Sequence, residues 1–270
     1  MGSLTYSAAM SHAPGITAFP ALPPENQRAP YFAAMEQARQ ALEKARPEVL
    51  IVVAPDHFTN FFSDNMPPFC IGLNERYHGP VEDWLRIEKR VIPGAREVAQ
   101  DILSTCFDSG IELAFSESLR LEHSVMVPLS ILTPKMNVPI VWIMQNCQMP
   151  PLPSLRRCYA LGQAIRRVID RRPERFALIG TGGLSHWPGA PEGGDIDEAF
   201  DKEFLRLLEA GDTEAVLSIS KARMDQAGFG SWEIRQWVTV LGAAPERRGR
   251  TLAYAPVREW ETGCAVTLFQ

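Results

Sequence analysis

Val49-Leu50-Ile51-Val52-Val53-Ala54 runs without a polar residue into Pro55-Asp56-His57. Six apolar residues in a row, rich in β-branched side chains, predict a strand buried on both faces, because a half-exposed strand would alternate apolar and polar positions. Upstream, Met35, Ala38, Leu42 and Ala45 recur at helical spacing, and Pro47 ends that helix. An amphipathic helix leading into a doubly buried strand is the repeating unit of an α/β sheet.

Working outward, the same alternation recurs. Residues 4–10, 111–115, 140–144 and 176–180 read as strands. Val98, Ala99, Ile102, Leu103 and Cys106 mark a helix closed by Gly110, and Leu155, Leu161, Ile165, Val168 and Ile169 mark another. Phe200, Phe204, Leu207 and Leu208 give a further helix, and Ile234, Trp237, Val238 and Leu241 the last long one. Residues 251–255 and 264–269 read as closing strands, with an antiparallel arrangement open to them. The expected fold is therefore α/β: a single domain over 1–270, with a central mixed sheet flanked by helices on both faces and a crevice at the strand ends. The Pro-rich stretches at 20–30 and 150–153 and the Gly-rich stretch at 187–194 read as loops inside that domain.

Composition narrows the function classes. With 46% hydrophobic and 22% charged residues, the 270-residue chain is ordinary for a globular protein. A formal net charge of −5 gives no basic face for phosphate, so nucleic acid is not an expected partner. No apolar run approaches the ~18 residues of a membrane span, so no membrane partner is expected. The first ten residues lack a basic segment followed by an apolar core, so a signal peptide is not expected either. Five cysteines, none in a Cys-x-x-Cys pair, predict neither a disulfide framework nor a closed zinc site. A reducing cytoplasm is the expected compartment.

The chain has five histidines, and three occupy equivalent positions. His12 follows the strand at 4–10, His57 follows 49–54, and His186 follows 176–180 by way of Gly182-Gly183-Leu184-Ser185. Open α/β sheets bind ligands at the carboxyl ends of their strands. A single histidine there is ordinarily a turn or hydrogen-bonding residue, but three of five in the same place point to a shared metal or acid–base site. Two imidazoles with one carboxylate would form a facial triad, the arrangement suited to non-haem Fe(II) and O2. Glu233 is a candidate carboxylate, at the start of the last helix with Ser231 as its expected N-cap. A glutamate in a first helical turn equally serves to complement the helix dipole. His78, in Arg76-Tyr77-His78-Gly79-Pro80, reads as a surface turn.

Several segments together carry a family likeness: Ser11-His12-Ala13-Pro14, Ala54-Pro55-Asp56-His57-Phe58, Met66-Pro67-Pro68-Phe69-Cys70, Thr181-Gly182-Gly183-Leu184-Ser185-His186 and Glu233-Ile234-Arg235-Gln236-Trp237. In these the chain resembles the class III (LigB-type) extradiol dioxygenases. The resemblance implies that His12, His57 and Glu233 hold Fe(II), that His123 and His186 act as acid and base, and that the partners are a catechol-type substrate and O2. Phe58, Phe61, Phe62 and Phe69 are then candidates for the wall of the ring pocket, with core packing as the alternative. One departure stands out: His123 lies in Glu122-His123-Ser124, where the family pattern is Asp-His-Gly. A homo-oligomer is expected. The alternatives are a catalytic subunit of a two-component aminophenol- or protocatechuate-type enzyme with a small second subunit, a non-catalytic binding protein of the same fold, and, more remotely, a zinc hydrolase. A binding protein would be expected to have lost some of the five site residues, and all five are present.

Overall fold

In the computed structural model, which describes residues 2–270, Val49–Ala54 is a strand buried along its whole length. In chain order the strands are β1 (Ser3–Met10), β2 (Val49–Ala54), β3 (Phe69–Gly72), β4 (Arg76–Gly79), β5 (Arg90–Pro93), β6 (Ala114–Ser116), β7 (Ile140–Gln145), β8 (Arg175–Thr181), β9 (Gly249–Val257) and β10 (Thr262–Phe269). Eight of them form one sheet in the order β6-β3-β7-β2-β8-β1-β10-β9, while β4 and β5 pair as a separate antiparallel ribbon. The middle strands β7, β2, β8 and β1 are mutually parallel. Antiparallel pairings flank them, β3 on β7 at one side and β10 on β1 and β9 at the other.

The mixed α/β sheet is thus as expected, and the period of two along β2 shows how it is buried. Val49, Ile51 and Val53 point into one core, and Leu50, Val52 and Ala54 into the other. Helices Arg96–Asp108, Leu155–Arg171, Glu198–Ala210 and Ile234–Ala243 cover the first face. Helices Glu25–Ala45 and His123–Leu132 cover the second.

Three local expectations are corrected. The strand expected at 111–115 is confined to Ala114–Ser116 on the sheet edge. The Pro-rich loop expected at 20–30 gives way at Glu25 to a helix that holds Pro30 at its sixth position. His78 lies on the β4–β5 ribbon rather than in a turn, with its side chain toward solvent. Among the described residues, no helix is long and apolar enough to cross a membrane. All five cysteines are free and buried.

Candidate active site

β2, β8 and β1 are adjacent and parallel, so their carboxyl ends open on one edge of the sheet. His57 follows β2, His186 follows β8 and His12 follows β1. That arrangement brings the three strand-end histidines to one pocket of ≈ 300 Å³, which His123 and Glu233 also line. His123 arrives by another route, as the first residue of the helix His123–Leu132. Glu233 closes a 3-10 turn (Phe229–Glu233) that runs directly into the helix Ile234–Ala243. Ser231 does not cap that helix, as its Oγ donates to the carbonyl of Met224 at 2.8 Å.

Two imidazoles converge on one carboxylate oxygen. Nε2 of His57 lies 3.3 Å and Nε2 of His12 3.5 Å from Oε1 of Glu233. The other carboxylate oxygen, Oε2, accepts the Gly183 amide at 2.6 Å, which fixes the plane of the group. Each imidazole is anchored through its far nitrogen. The Thr181 hydroxyl donates to the Ser124 carbonyl at 2.8 Å, so at 3.2 Å it accepts from Nδ1–H of His12. Nδ1–H of His57 donates to Oε2 of Glu122 at 3.1 Å. Both rings therefore present the Nε2 lone pair toward Glu233. Two lone pairs facing a buried carboxylate oxygen need a positive charge among them. In the metal-free protein a proton serves: burial pulls the His57 imidazole down, but Glu122 and Glu233 outweigh it and push it up to about 10. The donor set, with its outer partners on a hydroxyl and a carboxylate, fits a divalent cation.

Glu122 is the hub of the neighbouring network. It is fully buried, caps its helix by accepting the Ser124 amide at 3.1 Å, and holds His57 as described. Its Oε2 also lies 2.8 Å from Nδ1 of His123. Oε1 of Glu82 accepts from the same Nδ1 at 2.7 Å and from the His123 amide at 3.1 Å. Burial alone would raise the Glu122 carboxyl, but the adjacent His123 and His57 hold it well below the ordinary carboxylate range. For His123, burial lowers the imidazole, and Glu122 reverses that into a net rise. The His57 and His123 rings lie 4.1 Å apart between centroids. Nitrogens of His12, His57 and His123 all fall within 4.8 Å of one another, so a cluster of three imidazoles competes with Glu233 as a description of the ligand set.

His186 is held quite differently. Its Nδ1–H donates to the backbone carbonyl of Leu184 at 2.8 Å, so in the neutral ring Nε2 is the free nitrogen. A side chain at Gly230 would place its Cβ 2.3 Å from the ring, and one at Gly183 would place it 2.7 Å away, so glycine at both positions is what lets the imidazole fit. Behind it, Asp201 accepts the Ser185 amide at 2.7 Å and the Ser185 hydroxyl at 2.9 Å.

The aromatic wall differs from expectation. Trp84, Trp260, Pro14 and Pro188 line the pocket. Phe58 and Phe62 are exposed, Phe61 is half-buried on the second core, and Phe69 is buried in β3. Trp84, Glu82 and Glu261 were not singled out from the sequence, and no role was assigned to Thr181 or Trp260. Glu122 left a signal there, as the departure beside His123.

Known proteins share this architecture. A family model described as the catalytic LigB subunit of aromatic ring-opening dioxygenase matches residues 6–265. A 2,3-dihydroxyphenylpropionate/2,3-dihydroxicinnamic acid 1,2-dioxygenase of Photorhabdus laumondii is 28% identical over 296 residues, covering 92% of each chain. A protein of the same name from Burkholderia vietnamiensis is 30% identical over 274 residues, covering 84% of this chain and 85% of its own. Among solved structures, an uncharacterized protein of Escherichia coli K12 superposes with a TM-score of 0.64 over 98% of this chain and 99% of its own, at 13% identity, a likeness of fold alone.

Proposed function

This chain belongs to the family of catalytic LigB subunits of aromatic ring-opening dioxygenases and is an extradiol-type ring-cleaving enzyme; from that premise we propose that it opens the ring of a substituted catechol in an Fe(II)-dependent reaction that incorporates both atoms of O2. The observation that carries the reading is the convergence of His12 Nε2 and His57 Nε2 on Oε1 of Glu233. In this reading those three residues hold the iron. Fe(II) bound there would supply the Lewis acidity that makes a catechol hydroxyl acidic at neutral pH and a redox-active centre through which the catechol, the species oxidised, could pass electrons to O2. With one carboxylate and two neutral imidazoles the centre carries about +1, so a singly deprotonated catechol brings the site near neutrality and permits an apolar pocket.

The remaining groups handle protons. His186 is the base: its Nδ1–H is committed to Leu184, so Nε2 is free to accept a proton from the substrate hydroxyl. His123 is the acid, since Glu82 and Glu122 favour its protonated form. Glu122 couples the two halves of the site, orienting His57 and His123 with the same oxygen. Trp84 and Trp260 supply apolar surface for the ring. A cytoplasmic location suits both a ferrous centre and five free cysteines. The test is anaerobic loading with Fe(II), then a panel of catechols scored by O2 uptake and a yellow ring-opened product. O2-dependent ring opening that chelation abolishes is expected. Full turnover in an iron-free preparation would overturn the reading.

A further inference from the structure

The outer part of the pocket is walled by Trp84, Trp260, Pro188 and Glu261, and among the described residues no lysine or arginine lines it. Resting on the ring-cleavage reading above, we infer that the ring substituent of the substrate carries no negative charge: the enzyme takes catechols with neutral or ammonium-bearing side chains and discriminates against those ending in a carboxylate. This separates it from the two relatives described above, whose names specify substrates with carboxylate side chains.

A carboxylate entering a half-enclosed pocket gives up water and needs a cation or a set of hydrogen-bond donors in exchange. The outer rim offers the opposite. Glu261 is exposed there, on the turn between the segment Arg258–Trp260 and β10, and its amide donates to the Arg258 carbonyl at 3.0 Å. Its backbone is left-handed, with φ 52, a conformation that asparagine or glycine would adopt more readily. The two arginines nearest the rim in sequence are engaged elsewhere. Arg258 faces Asp195 at 3.8 Å, and Arg86 lies over the Phe19 ring at 6.0 Å and lines a different depression. Trp84 is 53% exposed, so its indole face is available to an alkyl chain or to an ammonium group. A substrate carboxylate at this rim meets a like charge and gives up water with no cation in return, and the two penalties together slow capture by roughly tenfold.

Three catechols of matched length test this, bearing propyl, 2-aminoethyl or 2-carboxyethyl groups beside the hydroxyls. Each is assayed by O2 uptake with the full-length, Fe(II)-loaded protein. The expected result is a kcat/KM for the carboxylate compound at least about tenfold below the other two. Glu261→Gln should narrow that ratio, and Glu261→Arg should reverse it. A carboxylate compound turned over as well as the propyl one by the unaltered enzyme would overturn the inference while leaving ring cleavage intact. So would a ratio that neither Glu261 variant changes. If none of the three rings were opened, the ring-cleavage reading itself would fall and this inference with it.

Discussion

His123 and His186 line the same pocket, yet the protein supports them by opposite means. His123 is gripped through Nδ1 by two carboxylates, Glu82 and Glu122, and its protonated form is favoured. His186 leans on a neutral backbone carbonyl and is packed by glycines, with no carboxylate against its Nδ1. Two imidazoles with the same intrinsic chemistry are thereby held by different partners, and the proposed roles of His123 as acid and His186 as base rest on that difference. In the proposed mechanism the environment, rather than the residue type, divides the labour.

The sharpest way to break that comparison is to remove each ring in turn. His186→Ala and His123→Ala should each lower kcat by roughly 10²–10⁴-fold, the usual contribution of a positioned acid or base. Neither should empty the metal site. Steady-state rates and iron content on the same preparations check this, and loss of iron in His186→Ala would place that residue among the ligands instead.

A smaller effect is expected one step back on the charged side. Glu122→Gln keeps the shape of the hub but removes its charge, weakening the hold on both His57 and His123. Iron affinity and turnover should each fall about 10–100-fold. An iron titration followed by kcat measurement reads both, and a variant with normal values in each would show that Glu122 only packs.

The smallest effect on activity is expected on the neutral side, at Asp201. Burial pushes its carboxyl up to about 7, against the pull of its hydrogen bonds from Ser185 and Tyr254. Between the unfolded value of about 4 and that folded value, the native state binds more protons than the unfolded chain. Its contribution is therefore complete below about pH 4 and is lost as pH rises toward 7, over a span worth at most about 4 kcal/mol. Asp201→Asn should flatten this dependence, so that thermal melts at pH 5 and pH 8 lie closer together than in the parent protein. Identical pH slopes for the two proteins would remove Asp201 from the account.

The sequence carried the parts of this site that depend on local pattern. His12, His57 and His186 were legible because each follows an apolar run of strand length. That β2, β8 and β1 are neighbours was not, since strand order is decided by packing between distant segments. The helix beginning at His123 left no periodic trace: Ser124 to Leu129 are buried on every side, so it has no polar face, and Pro128 within it reads as a breaker. The phenylalanines after His57 misled for a related reason. Proximity in sequence to a ligand says little about the pocket wall, which is assembled from Trp84, Pro188 and Trp260 in three separate segments. Glu122 stood out in the sequence beside His123, but its bond to His57, 65 positions away, is visible only in the fold.

The central claim is that Glu233, and not His123, completes the metal site with His12 and His57. The three-imidazole alternative is concrete, because nitrogens of His12, His57 and His123 lie within 4.8 Å of one another. Iron content after anaerobic Fe(II) loading and desalting of Glu233→Ala and His123→Ala separates the two most directly. Iron near the parental level is expected in His123→Ala and little in Glu233→Ala. Retention of iron by Glu233→Ala, with its loss from His123→Ala, would contradict the claim.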